Sequence, residues 1–138
     1  MRDFIGKEAK DVSPSPFGRW INGKMIAMER GKTECEVLIR PEFANPGGIL
    51  HGGAISGIFD EVMGVTTFTL ANDGFYVAIN LNVDFLKPGI VGETVLVKTE
   101  VIREGRNMIH AESRMYNANG ALLAKASSNL ALTQIHKK

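Results

Sequence analysis

The chain of 138 residues is poor in several features that would assign it to other classes of protein. A single cysteine cannot form a disulfide within the chain, which agrees with a reducing compartment. The 16 basic and 15 acidic residues are scattered and give a net charge of +1, so the basic stripe typical of nucleic-acid binding is missing. The first ten residues lack the apolar core of a secretory signal. We therefore expect a cytoplasmic protein that binds no nucleic acid.

Long uninterrupted apolar runs are also missing. The longest apolar stretch, residues 53–70, contains Asp60 and Glu61, and it falls short of a membrane span. We therefore expect no membrane partner. The chain length and the hydrophobic fraction of 44% are typical of one globular domain with a proper core, so we expect a single domain over residues 1–138.

Cysteine and histidine are too sparse to indicate a metal site. The three histidines lack ligand spacing with Cys35 or with each other, so we expect no metal and no other cofactor. Cys35 alternates with Thr33 and Val37, which predicts a buried strand position for this thiol and not a catalytic one. His110 and His136 have no catalytic context, and we interpret both as surface or strand residues.

Turn residues divide the chain into one long helix and about six strands. A short helix is predicted near Asp3–Lys10, and the prolines of segment 11–16 end it. Strands Lys24–Glu29 and Lys32–Arg40 form a predicted hairpin around a turn at residues 30–31. The long helix follows a glycine-rich loop at residues 45–53. Further strands are predicted at Phe75–Leu86, Glu93–Arg103, Asn107–Asn117 and Ala121–Thr133.

Alternation in the first of these later strands predicts how the sheet meets the helix. One face of segment 75–86 is apolar and should cover the helix; its residues are Val77, Ile79, Leu81, Val83 and Phe85. Successive hairpins predict antiparallel pairing, and a helix that is apolar most of the way round should be wrapped by that sheet. The sequence predicts an α+β fold, with an antiparallel sheet of about six strands wrapped around one long central helix.

The long helix has two different faces when it is projected at 100 degrees per residue. A wide apolar stripe should pack on the sheet and contains Ile55, Ile58, Phe59, Val62, Val65, Thr66 and Thr69. The opposite strip contains Gly53, Gly57, Asp60, Gly64 and Thr67. Glycine inside a helix costs roughly 0.5–1 kcal/mol relative to alanine, so this strip predicts a close approach by another group. Either a helix of a second subunit or a thin ligand satisfies that requirement.

The glycine-rich loop predicts an active-site layout at the start of this helix. It delivers His51 and the backbone amides of Gly52 and Gly53 to a helix N-terminus, where unsatisfied N–H groups and the helix dipole suit an oxygen that gains negative charge. Asp60 follows about two turns later as the candidate acid. His51 should hold the turn or bond a ligand carbonyl, and Asn45 is either an Asx-turn residue or a group that reaches a reacting water.

These residues resemble the hotdog-fold acyl-CoA thioesterases of the phenylacetate-degradation type. The resemblance covers most of the chain and rests on Pro16-Phe17-Gly18, Asn45-Pro46, Leu50-His51-Gly52-Gly53 with Asp60 nine positions after His51, and Asn82-Val83-Asp84-Phe85-Leu86-Lys87-Pro88-Gly89. It implies a hotdog fold and homodimers that pair edge to edge, often assembled into homotetramers. It also implies active sites between subunits.

The resemblance also implies a role for each candidate residue. The Gly52 amide would polarise the thioester carbonyl, Asp60 of the partner subunit would act as nucleophile or general base, and Asn45 and His51 would position water and substrate. Many relatives carry Ser or Thr where this chain has Ala78. Asn80, on the same strand face, is the candidate replacement.

Hydrolysis of acyl-CoA or aryl-CoA thioesters is the predicted activity. A CoA thiol leaves readily as thiolate, so carbonyl polarisation and one carboxylate suffice. Arg103 and Arg106, with Lys87 and Lys125, are candidates for the CoA phosphates, although they are equally explained as solvated charges. Candidates for acyl-chain contacts, which core packing explains equally well, are Phe17, Trp20, Met63 and Phe68.

Two other activities are compatible with the same fold. A hotdog dehydratase acting on hydroxyacyl thioesters needs a histidine base that faces an acid of the partner chain, in a different motif from this one. A non-catalytic acyl-CoA-binding protein is the second alternative, and Ala78 keeps it open because the residue that orients water in relatives is missing.

Overall fold

The computed structural model describes residues 3–133, which form one seven-stranded antiparallel sheet around one long helix. The order of strands across the sheet is β1-β2-β5-β6-β7-β3, and β4 also pairs with β7. In chain order the elements are α1 (Ala9–Val12), α2 (Pro16–Ile21), β1 (Lys24–Glu29), β2 (Lys32–Leu38), a 3-10 turn (Pro41–Phe43), α3 (Gly52–Phe68), β3 (Tyr76–Ala78), β4 (Asn82–Phe85), β5 (Thr94–Glu104), β6 (Met108–Tyr116) and β7 (Leu122–Leu132).

Hairpins with glycine turns build most of the sheet, as the sequence predicts. Strands β1 and β2 pair around Gly31, whose φ of +77° is the left-handed conformation that glycine adopts without strain. Strands β2, β5, β6 and β7 then pair antiparallel with their neighbours, with register shifts after Val101 in β5 and after Met115 in β6. The predicted bounds of β1 are confirmed, and those of β2, β5, β6 and β7 differ from the observed bounds by at most two residues at either end.

The apolar stripe of α3 faces the sheet and forms the centre of the core. All predicted stripe residues are buried except Val65, which is partly buried, and Met63 and Thr67 are buried as well. Thr67 is thus buried although it belongs to the strip opposite the apolar stripe. Its hydroxyl donates to the carbonyl of Gly64 at 2.6 Å, so the helix backbone itself satisfies this buried group.

The N-terminal segment differs from the prediction in two ways. The predicted helix Asp3–Lys10 is wrong, because Gly6 has a φ of +79° and its N–H donates to the carbonyl of Met25 at 2.8 Å, along the edge of β1. Helix α2 was not predicted. Its first residue, Pro16, begins a helix instead of ending one, since Ser15 accepts from the Gly18 N–H at 3.0 Å as an N-cap.

The predicted strand Phe75–Leu86 is two strands, β3 and β4, separated by residues 79–81. Both pair with β7, and the break changes which side chains face the helix. Tyr76 is buried, whereas Val77, Ile79 and Phe85 are 48%, 58% and 57% exposed. The expectation that this apolar face covers the helix is therefore wrong for these three residues. Strand β3 instead forms an edge of the sheet with exposed apolar side chains.

One buried hydrogen bond joins α3 to the sheet and provides a test of the core. Thr66 donates to the carbonyl of Val62 at 2.7 Å, so the hydroxyl of Thr33 on β2 is the donor in its 2.8 Å contact with the hydroxyl of Thr66. We predict that Thr33→Val lowers the free energy of unfolding by about 1 kcal/mol, since one buried hydrogen bond is lost and the shape is kept. Thr33→Ser, which retains the hydroxyl, is the matched control for a urea titration. Equal stability of Thr33→Val and the parent would contradict this role.

Candidate active site

The glycine-rich loop before α3 is closed by Asn45. The side-chain oxygen of Asn45 accepts from the N–H groups of Gly47 at 2.9 Å and Ile49 at 3.3 Å, and Gly48 has a φ of +80°. The Asx-turn interpretation of Asn45 is therefore confirmed. Its side-chain NH2 donates no hydrogen bond within residues 3–133, so a donor remains for water or substrate.

His51 is the N-cap of α3 and is bonded from both its backbone and its ring. Its N–H donates to the carbonyl of Phe43 at 2.7 Å, and its Nδ1 accepts from the Gly53 N–H at 2.7 Å. The ring therefore carries its proton on Nε2 when it is neutral. The expectation that Gly53 supplies a free amide is wrong, because the cap satisfies that donor. The expectation that His51 holds the turn is confirmed.

Gly52 keeps a free N–H at the first position of α3. No acceptor within residues 3–133 lies in hydrogen-bond range of it, as is usual for the first amides of a helix. The ring of Phe85 lies against the residue, with its Cε1 atom 3.4 Å from the place a Cβ would occupy. One backbone donor at the positive end of a helix dipole is thus available beside an aromatic surface.

Asp60 is exposed on the opposite face of α3 from the core and lines an open cavity of about 390 Å³. The other residues of that cavity are Ser56, Gly57, Ala78, Asn80 and Leu81. Gly52 lies eight residues before Asp60, which corresponds to about 12 Å along the helix axis. A single copy of the chain therefore does not bring the Gly52 N–H and the Asp60 carboxylate to the same reacting atom.

Asn80 and Ala78 lie in the cavity of Asp60, as their shared strand face predicts. The side-chain oxygen of Asn80 accepts from the Asn129 N–H at 2.9 Å, and the Asn80 carbonyl accepts from the Ser128 hydroxyl at 2.7 Å. Asn80 therefore replaces strand pairing across the break between β3 and β4. These hydrogen bonds fix the Asn80 side chain, and its NH2 group remains available as a donor.

Glu61 occupies a different environment from its neighbour Asp60. Its Oε1 accepts from the Ser15 hydroxyl at 3.2 Å, and no basic side chain within residues 3–133 forms an ion pair with it. Burial raises the pKa of the Glu61 carboxyl above its ordinary value, and the hydrogen bond from Ser15 opposes that shift.

The close approach predicted for the glycine strip comes from the chain itself at one position. The ring of Phe17 on α2 lies over Gly57, with its Cζ only 2.9 Å from the site of a Cβ at that position. Neither a ligand nor a second subunit is needed to explain Gly57. The space beside Gly64 is open, and Gly53 is approached by the His51 ring.

The basic residues expected at the CoA phosphates form two groups in one copy of the chain. Arg103 and Arg106 are exposed at the turn between β5 and β6, next to the end of α3, where Arg30 bonds both Glu104 and the carbonyl of Leu70. Lys87 and Lys125 are also exposed but lie toward the start of α3, since Phe85 contacts Gly52 there and β4 pairs with the part of β7 that contains Lys125. The structure therefore separates the two groups within one copy.

The remaining candidates contribute no reactive group to this region. Cys35 is buried on β2 as predicted, and burial raises the pKa of its thiol to about 12, so it stays protonated at neutral pH. His110 lies on β6 and bonds the Asn129 side chain, while His136 lies outside the described residues. Within residues 3–133 no cluster of acids, histidines and cysteine could hold a metal ion, and no helix is long and apolar enough to cross a membrane.

Comparison with known proteins assigns the family. Residues 47–124 match the model of the thioesterase superfamily. The chain belongs to the thioesterase superfamily. It is 32% identical to a candidate esterase of Saccharolobus solfataricus over 108 residues. The aligned region covers 78% of this chain and 76% of that protein.

Solved structures agree with this thioesterase fold. The PaaI protein from the phenylacetic acid degradation operon of E. coli superposes with a TM-score of 0.83 at 17% identity, covering 89% of this chain and 88% of that one. A hypothetical thioesterase of Streptococcus pneumoniae TIGR4, solved with coenzyme A, has a TM-score of 0.79 at 22% identity, covering 84% and 89%. The hotdog fold predicted from the sequence is confirmed.

The N-cap of α3 can be tested separately from catalysis. We predict that His51→Ala lowers the free energy of unfolding by about 1 kcal/mol, because the Gly53 N–H loses its acceptor. His51→Asn should retain most of the stability, since asparagine is a favourable N-cap residue. Urea unfolding followed by circular dichroism measures both changes. Equal losses in the two variants would mean that the histidine contributes by packing and not as a cap.

Proposed function

We propose that this thioesterase-superfamily protein hydrolyses acyl-CoA or aryl-CoA thioesters to the free acid and CoA. The observation that carries the proposal is the free N–H of Gly52 at the start of α3, combined with the accessible carboxylate of Asp60. A thioester carbonyl oxygen that accepts from the Gly52 N–H gains negative charge in the transition state, where the helix dipole stabilises it. The family membership supports thioester hydrolysis, and the coenzyme A bound to the Streptococcus relative supports a CoA substrate.

Asp60 supplies the second chemical function. As a general base it takes a proton from water while the water oxygen bonds to the carbonyl carbon, and the C–S bond then breaks to release CoA thiolate. As a nucleophile it bonds to the carbonyl carbon, the C–S bond breaks to release CoA thiolate, and water hydrolyses the resulting acyl-aspartyl anhydride in a second step. Both routes need only the one carboxylate, because the thiolate leaves without strong acid assistance. The side-chain NH2 of Asn45 and the Nε2–H of His51 are the donors proposed to position water and substrate.

The active site is proposed to form between two copies of the chain. The separation of about 12 Å along α3 keeps Gly52 of one copy away from its own Asp60. The exposed apolar edge of β3 offers a second copy a surface for antiparallel pairing. Two-fold symmetry would run the two α3 helices in opposite directions, so that Gly52 of each copy lies near Asp60 of the other. A dimer is the minimum assembly for this site, and the tetramer and the cytoplasmic location stay predictions.

The same symmetry would unite the two groups of basic residues. Arg103 and Arg106 lie near the end of α3, whereas Lys87 and Lys125 lie toward its start. With antiparallel helices, the arginines of one copy approach the lysines of the other. This arrangement supports their proposed role at the CoA phosphates, because several cations then converge on one side of the site.

Paired substitutions test the two chemical groups. We predict that Asp60→Asn and Gly52→Pro each lower kcat for thiol release by about 100-fold or more, through loss of the carboxylate and of the carbonyl donor. Proline is tolerated at the first helical position, and the ψ of 138° at His51 suits a residue before proline. Gly52→Ala, which keeps the N–H, is the control for Gly52→Pro, and Glu100→Gln on the outer sheet face is the control for Asp60→Asn. If Asp60→Asn turns over substrate as the parent does, the carboxylate has no part in the mechanism; the same result for Gly52→Pro would exclude the Gly52 N–H.

Mixing the two inactive variants tests whether the site is shared. Co-expression of Asp60→Asn and Gly52→Pro chains with different tags should give mixed dimers that contain one centre with both groups intact. We predict that purified mixed dimers regain roughly half of the parental activity per dimer, although each variant alone is inactive. Inactive mixed dimers, with their composition verified by mass spectrometry, would place the site within one copy.

A further inference from the structure

Helix α2 is fixed at both of its ends, to α3 at its start and to Arg40 at its end. At its start, Ser15 caps the helix by accepting from the Gly18 N–H at 3.0 Å and donates to Glu61 of α3 at 3.2 Å. At its end, Arg40 donates to the carbonyl of Ile21 at 3.2 Å and also to the carbonyl of Trp20. These contacts hold the short helix in place without burying its aromatic residues.

Two aromatic side chains of α2 are therefore held in position while remaining half exposed. The rings of Phe17 and Trp20 are stacked with their centroids 6.0 Å apart, and the two residues are 47% and 49% exposed. Trp20 also packs edge-on against Phe43 at 4.9 Å, with the Arg40 guanidinium 5.5 Å from its ring centroid. A rigid aromatic surface of this kind binds apolar groups at a low cost in conformational entropy.

This aromatic surface adjoins the cavity that contains Asp60. The ring of Phe17 lies on Gly57, and Gly57 lines the cavity together with Asp60 and the apolar residues Ala78 and Leu81. Gly57 precedes Asp60 by three residues on the same helix face, which is about 4.5 Å along the axis. Phe17 thus lies roughly one helical turn from the carboxylate.

We infer that Phe17, supported by Trp20, forms the wall of the acyl-binding pocket and selects thioesters whose acyl group is a ring or a medium-length chain. The inference rests on the proposed function, because it places the thioester carbonyl beside Asp60. An acyl group that starts there extends along the helix toward the Phe17 ring, and a ring or a medium-length chain makes more of that contact than an acetyl group does. Phe17 determines specificity and takes no part in the chemical step.

Binding and turnover of Phe17→Ala provide the test. Calorimetry should show that the substitution weakens a non-hydrolysable hexanoyl-CoA thioether about tenfold, because apolar pocket contacts are lost, while CoA itself binds as before. For turnover, kcat/KM for hexanoyl-CoA and phenylacetyl-CoA should fall about tenfold, with acetyl-CoA unchanged. Tyr116→Ala, an aromatic deletion on the outer sheet face, is the matched control and should alter none of these values.

A second variant changes the residue beneath the Phe17 ring and keeps the ring itself. It therefore tests the pocket wall even if Phe17→Ala disturbs the folding of α2. Gly57→Ala places a methyl group 2.9 Å from the Phe17 Cζ and should displace the ring, so that kcat/KM falls more for hexanoyl-CoA than for acetyl-CoA. Unfolding curves identify any variant that fails to fold. Equal losses for CoA and the thioether, or no loss for either, would overturn the inference. A parent protein that binds the thioether more tightly than CoA but releases no thiol would refute the proposed function and leave the pocket assignment supported.

Discussion

The hydrogen bond from the Gly53 N–H to the His51 ring is the interaction on which the candidate site depends. By accepting at Nδ1, the ring ends the glycine loop, fixes the first turn of α3 and consumes the amide that would otherwise compete for a ligand oxygen. The Gly52 N–H at the first helical position keeps no acceptor within residues 3–133. If Gly52 were capped as Gly53 is, that donor would be lost to a ligand oxygen. The cap therefore contributes to both stability and reactivity.

The sequence predicts an element correctly where its backbone conformation is determined by residues close to it along the chain. The turn at Gly31, the turns that separate β5, β6 and β7, and the apolar stripe of α3 each follow from turn residues or one periodicity, and the structure agrees. The N-terminal segment fails this test because its conformation is set by pairing with the edge of β1, which no local pattern reports. Ser15 followed by Pro16 was a readable N-cap signal for α2, and it was interpreted as a helix stop.

In the candidate site, too, residues placed by local sequence are predictable, whereas contacts between distant segments are not. His51, Gly52 and Asp60 were identifiable because their spacing along a loop and a helix is local. The break between β3 and β4 is hidden in the sequence, since apolar alternation continues through it and the Asn80 side chain replaces part of the missing pairing with β7. The contact of Phe17 with Gly57 was hidden for another reason: it joins two elements forty residues apart. The glycine pattern predicted a close neighbour without identifying it.

The contact between Phe17 and Gly57 also restricts how this protein can change during evolution. A side chain at position 57 would meet the Phe17 ring at 2.9 Å, so the two positions do not accept substitutions independently. Alanine at 57 requires the half-exposed Phe17 ring to move, and a larger residue at 57 requires a smaller residue at 17 or a shift of α2. Descendants with a large residue at position 57 should therefore carry a small one at position 17.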